Sequence, residues 1–169
     1  MILSNIEIHR ALDERRLSIS PEPSPRHPTA AGATCPYQTT SVDLRLGNEI
    51  SWFKDGLPFD INLNNGSFPR LFGPNSETLT ISPHNPFVLD PRKLVLAKTL
   101  ERVELPIVPE GQVQLAARVE GKSSCARCGL LVHFTAPTIH AGFQGTITLE
   151  LINLGPYKIS PTPTHRSAS

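Results

Sequence analysis

The sequence predicts an all-β fold of the barrel or jelly-roll kind with a short N-terminal helix. Three observations carry that expectation. Apolar runs are short and several alternate with polar residues, which is the period of half-buried strands. Turn formers recur between the runs, with 17 Pro and 11 Gly in the chain. The N-terminal segment alone shows helical spacing over several turns. At 169 residues the chain has the size of one ordinary domain and can bury a core without disulfides or a structural metal.

The helix comes first. Ser4-Asn5-Ile6-Glu7 forms a capping box, with Leu3 and Ile8 placed as a hydrophobic staple. Ile8, Ala11 and Leu12 then follow helical spacing, so a helix is expected over about Asn5–Arg15. Pro21, Pro23, Pro25, Pro28 and Pro36 make residues 20–40 a loop. Ser41–Gly47 alternates and reads as a strand. Residues 54–83, rich in Asn, Gly, Pro and Ser, read as an irregular insertion with one short strand near Leu79–Ile81. Strands are then expected at Phe87–Leu89, Leu94–Lys98, Val113–Val119, Leu130–Thr135 and Thr146–Asn153. Between two of them, Ser123 and Gly129 bracket about one helical turn. The polar segment from Ser160 reads as a frayed tail.

Lys and Arg number 16 against 15 Asp and Glu, a formal net charge of +1. That balance argues against a protein that grips a nucleic-acid backbone, although a triphosphate needs only a few local cations. Three cysteines, Cys35, Cys125 and Cys128, do not read as a disulfide framework. The first residues show no basic and apolar leader, and no stretch reaches the roughly 20 apolar residues of a membrane helix. A reducing, cytoplasmic setting is expected, without membrane or nucleic-acid partners.

On residue pattern alone, the chemistry-bearing side chains have ordinary readings. Glu150 lies on a strand face with Thr148 and Ile152, opposite Ile147, Leu149 and Leu151, where a solvated carboxylate is common. Ser123 reads as a helix cap, Arg127 as a surface cation and Phe143 as a core aromatic. Cys125-x-x-Cys128 invites a zinc site, but the zinc deaminases also need a His-x-Glu segment, which this chain lacks. His133 and His140 are the nearest candidates to complete a site, and packing thiols without zinc are the better reading.

Three segments change the weighting when taken together. Ser41-Val42-Asp43-Leu44-Arg45-Leu46-Gly47-Asn48, the run Ala117–Leu130 containing Glu120-Gly121-Lys122-Ser123-Ser124-Cys125-Ala126-Arg127, and the run Leu131–Leu151 containing His133-Phe134-Thr135-Ala136-Pro137 resemble the dCTP deaminase family of the dUTPase-like superfamily. The resemblance implies one domain over residues 1–159 with a tail over 160–169. It implies a distorted β-barrel homotrimer with sites between subunits and hydrolytic deamination of dCTP to dUTP. Mg²⁺ would arrive on the triphosphate. It makes Glu150 the general acid/base, with Ser123 and Arg127 holding and ordering the attacking water. Lys122 and Ser124 would meet phosphate. Ala136 to Ile139 would read the pyrimidine edge, and Phe143 and His140 would meet the sugar.

Two departures from the family pattern stand out. Relatives usually carry Asp at the position of His140, and in dUTP-hydrolysing members that Asp also activates water. After Tyr157-Lys158-Ile159 no family-type closing arm is apparent. Three readings follow: a dCTP deaminase, a dUTP diphosphatase or bifunctional enzyme, and a non-catalytic nucleotide-binding relative.

Overall fold

The computed structural model describes residues 2–56, 68–82 and 84–163. Helix α1 spans Asn5–Asp13, and the Ser4 hydroxyl accepts from the Glu7 backbone N–H at 3.4 Å. That is half of the expected capping box; the Glu7 carboxylate instead pairs with Arg10 at 3.1 Å. The helix stops two residues before the expected Arg15, which takes a left-handed φ of 56°. Ile8, Cys35 and Tyr37 form a small core with Leu3 and Leu12, so the helix docks on the proline-rich loop.

Strand β1 (Ser18–Ser20), not anticipated from the prolines that follow it, pairs with the far end of β4 (Leu94–Glu104). β2 covers Leu46–Phe53, α2 Phe68–Asn75 and β3 Ser76–Thr80; then come β4, β5 (Ala117–Arg118), α3 (Ser123–Arg127), β6 (Leu130–Val132), β7 (Thr138–Ile139) and β8 (Gln144–Asn153). The main antiparallel sheet runs β3-β2-β4-β8-β6, with β1 also on β4, and β5 pairs with β7 in a second, two-stranded sheet. The mostly β architecture with a short N-terminal helix agrees with the sequence.

Several boundaries differ, each for a local reason. The strand expected at Ser41–Gly47 begins only at Leu46 and continues to Phe53. Before it, the Arg45 backbone N–H is drawn to the buried Glu101 carboxylate at 2.8 Å, and the Arg45 guanidinium follows at 2.6 Å. The strand expected at Val113–Val119 shrinks to Ala117–Arg118, because the Gln114 side chain closes a loop on both polar backbone groups of Val108. Phe87–Leu89 contributes only a bridge from Leu89 to Ile159. β6 ends at Val132 rather than Thr135, since His133 leaves the extended region with φ 50°. β4 runs six residues beyond the expected end at Lys98, and α2 was not anticipated in the insertion, which lies partly outside the described residues. The short strand expected near Leu79–Ile81 is β3. Of the expected tail, residues 160–163 carry no regular structure and 164–169 lie outside the described residues.

The main core is one sheet face. Ile50 of β2, Val95, Ala97 and Val103 of β4, and Ile147, Leu149 and Leu151 of β8 are buried together with Leu89 and Ile139. Register shifts between Leu46/Ile50 and between Lys98/Arg102 place bulges on both sides of β4. Such bulges bend a sheet and raise its twist. The alternation on β8 leaves Thr148 and Glu150 on the face away from the core, as the sequence period requires.

Candidate active site

Glu150 sits on the long central strand β8, opposite Leu96 of β4. β6 pairs with the other side of β8, with Val132 against Leu151, so the chain leaving β6 crosses directly over Glu150. That next residue is His133. Its backbone N–H donates to the Glu150 carbonyl at 2.8 Å, which continues the ladder by one bond. The left-handed backbone at His133 then turns the following segment over the strand.

The result is an open groove of about 470 Å³. Glu150 and Thr148 line it from β8, Ala136, Thr138 and Ile139 from the loop and β7, and His140 and Phe143 from the turn before β8. The Glu150 side chain is 31% exposed and that of His133 only 11%. His133 Nε2 lies 2.7 Å from the Ala136 carbonyl oxygen, and His133 Nδ1 lies 2.9 Å from Glu150 Oε2. Those last two atoms are shielded from solvent and form no aligned hydrogen bond with any described group.

Five of the anticipated residues therefore meet in one groove: Glu150, Ala136, Ile139, His140 and Phe143. Phe143 packs on the core, as its residue type suggests, and also lines the groove. Lys122, Ser123, Ser124 and Arg127 do not line this groove; all four are exposed on or beside α3. The reading of Ser123 as a helix cap is corrected, because Lys122 occupies the N-cap position and Ser123 is the first helical residue. Among the described residues no hydrogen bond takes up the Ser123 or Ser124 hydroxyl, and Arg127 has no ion-pair partner. The Lys122 ammonium is 2.7 Å from Asp43.

Glycines lock α3 in place. Gly129, at φ 90°, lies so close to the Gly155 backbone that a Cβ would collide with it, and the Gly129 carbonyl accepts from Leu154 at 2.8 Å. The turn bearing Ser123 and Arg127 is thereby fixed to the segment leaving β8. Cys125 and Cys128 are free thiols. No group of three or more His, Cys, Asp or Glu side chains is arranged to hold a metal ion among the described residues. No described helix is long and apolar enough to cross a membrane.

Sequence reasoning considered His133 only as a zinc partner and passed over its place beside Glu150. The signal was present: pairing Leu130–Thr135 against Thr146–Asn153 carries residue 133 to the edge of residue 150. Asp43 as the partner of Lys122 had no local signal, because the two lie 79 positions apart.

A mostly antiparallel β domain with a short N-terminal helix and a carboxylate lining an open groove is of the dUTPase-like kind. A family model described as dCTP deaminase-like matches residues 2–163, and the chain belongs to that family. It is 35% identical over 170 residues to the dCTP deaminase, dUMP-forming, of Methanosphaera stadtmanae, covering 98% of this chain and 75% of that one. It is 38% identical over 166 residues to the dCTP deaminase of Natronomonas pharaonis, covering 98% of this chain and 76% of the relative. Among solved structures it resembles the 2'-deoxycytidine 5'-triphosphate deaminase from Agrobacterium tumefaciens, with a TM-score of 0.62 at 18% identity. That match covers 96% of this chain but 44% of the other, and it bears on the fold alone.

Proposed function

We propose that this protein deaminates dCTP hydrolytically, releasing dUTP and ammonia, with Glu150 as general acid and base. The observation that carries the reading is the half-buried Glu150 carboxylate at the floor of the groove, under the loop from His133 to Phe143. Family membership supports the substrate class. In this mechanism a carboxylate takes a proton from water as the oxygen attacks C4 of the cytosine ring, and a proton passes to N3. The tetrahedral centre then collapses, the amino group leaves as ammonia, and a uracil ring remains. One carboxylate serves both transfers if it can exist in both protonation states near neutral pH. Polar backbone groups of the Ala136–Ile139 segment read the pyrimidine edge, and Phe143 and His140 meet the deoxyribose. The triphosphate, carried as its Mg²⁺ complex, meets Lys122 and Ser124.

The exposed position of α3 supports a site shared between subunits. Ser123 and Arg127, proposed to order the water, lie outside the groove that holds Glu150 within one chain. A neighbouring copy that brings its α3 to this groove completes the set, so we propose a homotrimer with three shared sites and a barrel-like subunit. Ile107, Val113 and Tyr157 are 74%, 78% and 79% exposed and offer apolar surface for such association.

Relatives carry both the plain and the dUMP-forming name. His140 favours a reaction that stops at dUTP, since the second hydrolysis in the family uses an Asp at that position. Incubation with dCTP or dUTP plus Mg²⁺, with assays for ammonia, dUTP, dUMP and pyrophosphate, tests the reading. Ammonia and dUTP from dCTP are expected, with no pyrophosphate. Nucleotide binding without ammonia release would overturn it in favour of a non-catalytic relative. Light scattering should return three times the 18.5 kDa chain mass, and a monomer alone would refute the shared site.

A further inference from the structure

We infer that His133 is a positioning residue that holds one proton in common with Glu150 and so arms it as an acid. This rests on the reading of Glu150 as the general acid and base. The geometry supplies the steps. A carbonyl oxygen only accepts, so the 2.7 Å contact from Ala136 requires a hydrogen on His133 Nε2. In a neutral imidazole the other nitrogen then carries a lone pair, because the partner of one ring nitrogen sets the state of the other.

That second nitrogen, Nδ1, stands 2.9 Å from Glu150 Oε2, and both atoms are sealed from water. A lone pair facing a carboxylate oxygen at this distance, without water between, is repulsive, and a buried polar atom without a partner is costly. One proton between them removes both penalties. It sits on Glu150 beside a neutral imidazole, or on His133 beside a carboxylate. Moving that proton between the two sites leaves the pair's net charge unchanged; giving it to the base makes the pair one unit more negative, until the proton taken from water restores it.

The surroundings suit that role. Among the described residues, His133 is the only non-glycine residue lining the groove with a positive φ, 50°. Left-handed backbone is strained for such a residue and persists where the surrounding structure imposes it. Here the imposing contacts are the backbone bond to Glu150 and the side-chain bond to Ala136. His133 therefore connects the carboxylate to the loop proposed to read the pyrimidine, and a base that shifts Ala136 shifts the proton donor with it. Other titratable groups stand on this side of the sheet. His140 lines the same groove, and Lys98 of β4, opposite Thr148, is 3.8 Å from Glu49 of β2. The direct cross-strand neighbour of Glu150 on β4, Leu96, is apolar, and on the other side the ladder is continued by His133 itself.

Nitrogen-15 NMR of the imidazoles tests the shared proton without any activity. In the neutral ring of His133 the hydrogen should sit on Nε2, and Glu150→Gln, which replaces the proton carrier by an amide, should shift the Nδ1 nitrogen-15 resonance. An Nδ1–H tautomer, or an Nδ1 resonance unmoved by Glu150→Gln, overturns the inference. Kinetics supply the second arm. His133→Gln keeps an amide nitrogen near the Nε2 position but offers nothing at Nδ1. It should lower kcat about 100-fold, within the range for general acid–base effects, with KM changed less than threefold. The acid limb of the pH profile should shift as well. A kcat loss equalled by a KM rise, with an unshifted profile, marks a merely structural histidine and refutes the positioning role. If the unmodified protein releases no ammonia, the deaminase reading fails, while the NMR result still decides whether the pair shares a proton.

Discussion

Replacing Glu150 by Gln removes a proton carrier while changing almost nothing else. The substitution conserves length and shape. Glu150 lies on the outer face of β8, and the apolar residues beneath it, Leu149 and Leu151, are untouched. Its backbone carbonyl still accepts from His133. The side chain is 31% exposed, and a Gln amide can donate to His133 Nδ1 where the shared proton stood, so little folding energy is lost. The unfolding midpoint should move by no more than that of an ordinary surface change, about 0.5 kcal/mol. Catalysis should respond very differently. General acid–base loss is worth roughly 10²–10⁴-fold, and a group that serves both transfers belongs at the upper end. At about 1.36 kcal/mol per decade, a 10⁴-fold loss raises the barrier by about 5.4 kcal/mol. Ammonia release from dCTP, measured under single-turnover conditions beside dCTP binding and thermal melting, separates the terms. The expected pattern is near-normal binding and melting with deamination reduced by about 10⁴. A variant that retains a tenth of the original rate would refute the assignment of Glu150.

Leu89 is fully buried and bonded by its backbone to Ile159 in both directions, so Leu89→Ala leaves a cavity rather than a broken bridge. It should cost about 2–5 kcal/mol and lower Tm by roughly 4–20 °C; a loss under about 2 °C would show that the site collapses to fill itself. Gly129→Ala forces a side chain into left-handed backbone and against Gly155. It should destabilise by more than about 1 kcal/mol in denaturant titration, and an unchanged midpoint would refute the close packing of α3 on the segment after β8. Burial against Tyr37, followed by the nearby His27 and Arg26, holds the His9 imidazole below its ordinary 6.5. The unfolded chain then binds that proton first, so stability should fall as pH drops below 6.5 and level off below the folded value. His9→Gln should flatten that part of a Tm-against-pH curve, and an identical slope would refute the contribution.

The outer placement of Glu150 was legible because β8 is a central strand, and a two-residue period on a half-buried strand has one solution. Ile147, Leu149 and Leu151 must face the core, and Glu150 must not. The start of α1 was legible for a similar reason, since a Ser ahead of an apolar helical stripe satisfies a free amide locally. Motif order likewise pointed to the family. What failed were boundaries set by side chains that capture the backbone from outside the expected strand pairing. The expected strand at Ser41–Gly47 yields to Glu101, a carboxylate 56 positions away that captures Arg45. The expected strand at Val113–Val119 yields to a side-chain bond from Gln114.

By itself, then, the sequence determined the class of fold, the face on which Glu150 stands and the short turn that carries Ser123 and Arg127, because each depends on spacing within a few residues. Tertiary structure alone decided that His133 would lie 2.9 Å from Glu150, that Asp43 would hold Lys122, and that α3 would remain outside the groove of its own chain. Those arrangements depend on which strands pair and in what register. Register is an energy summed over a whole sheet face, and it brings together side chains that no local pattern connects.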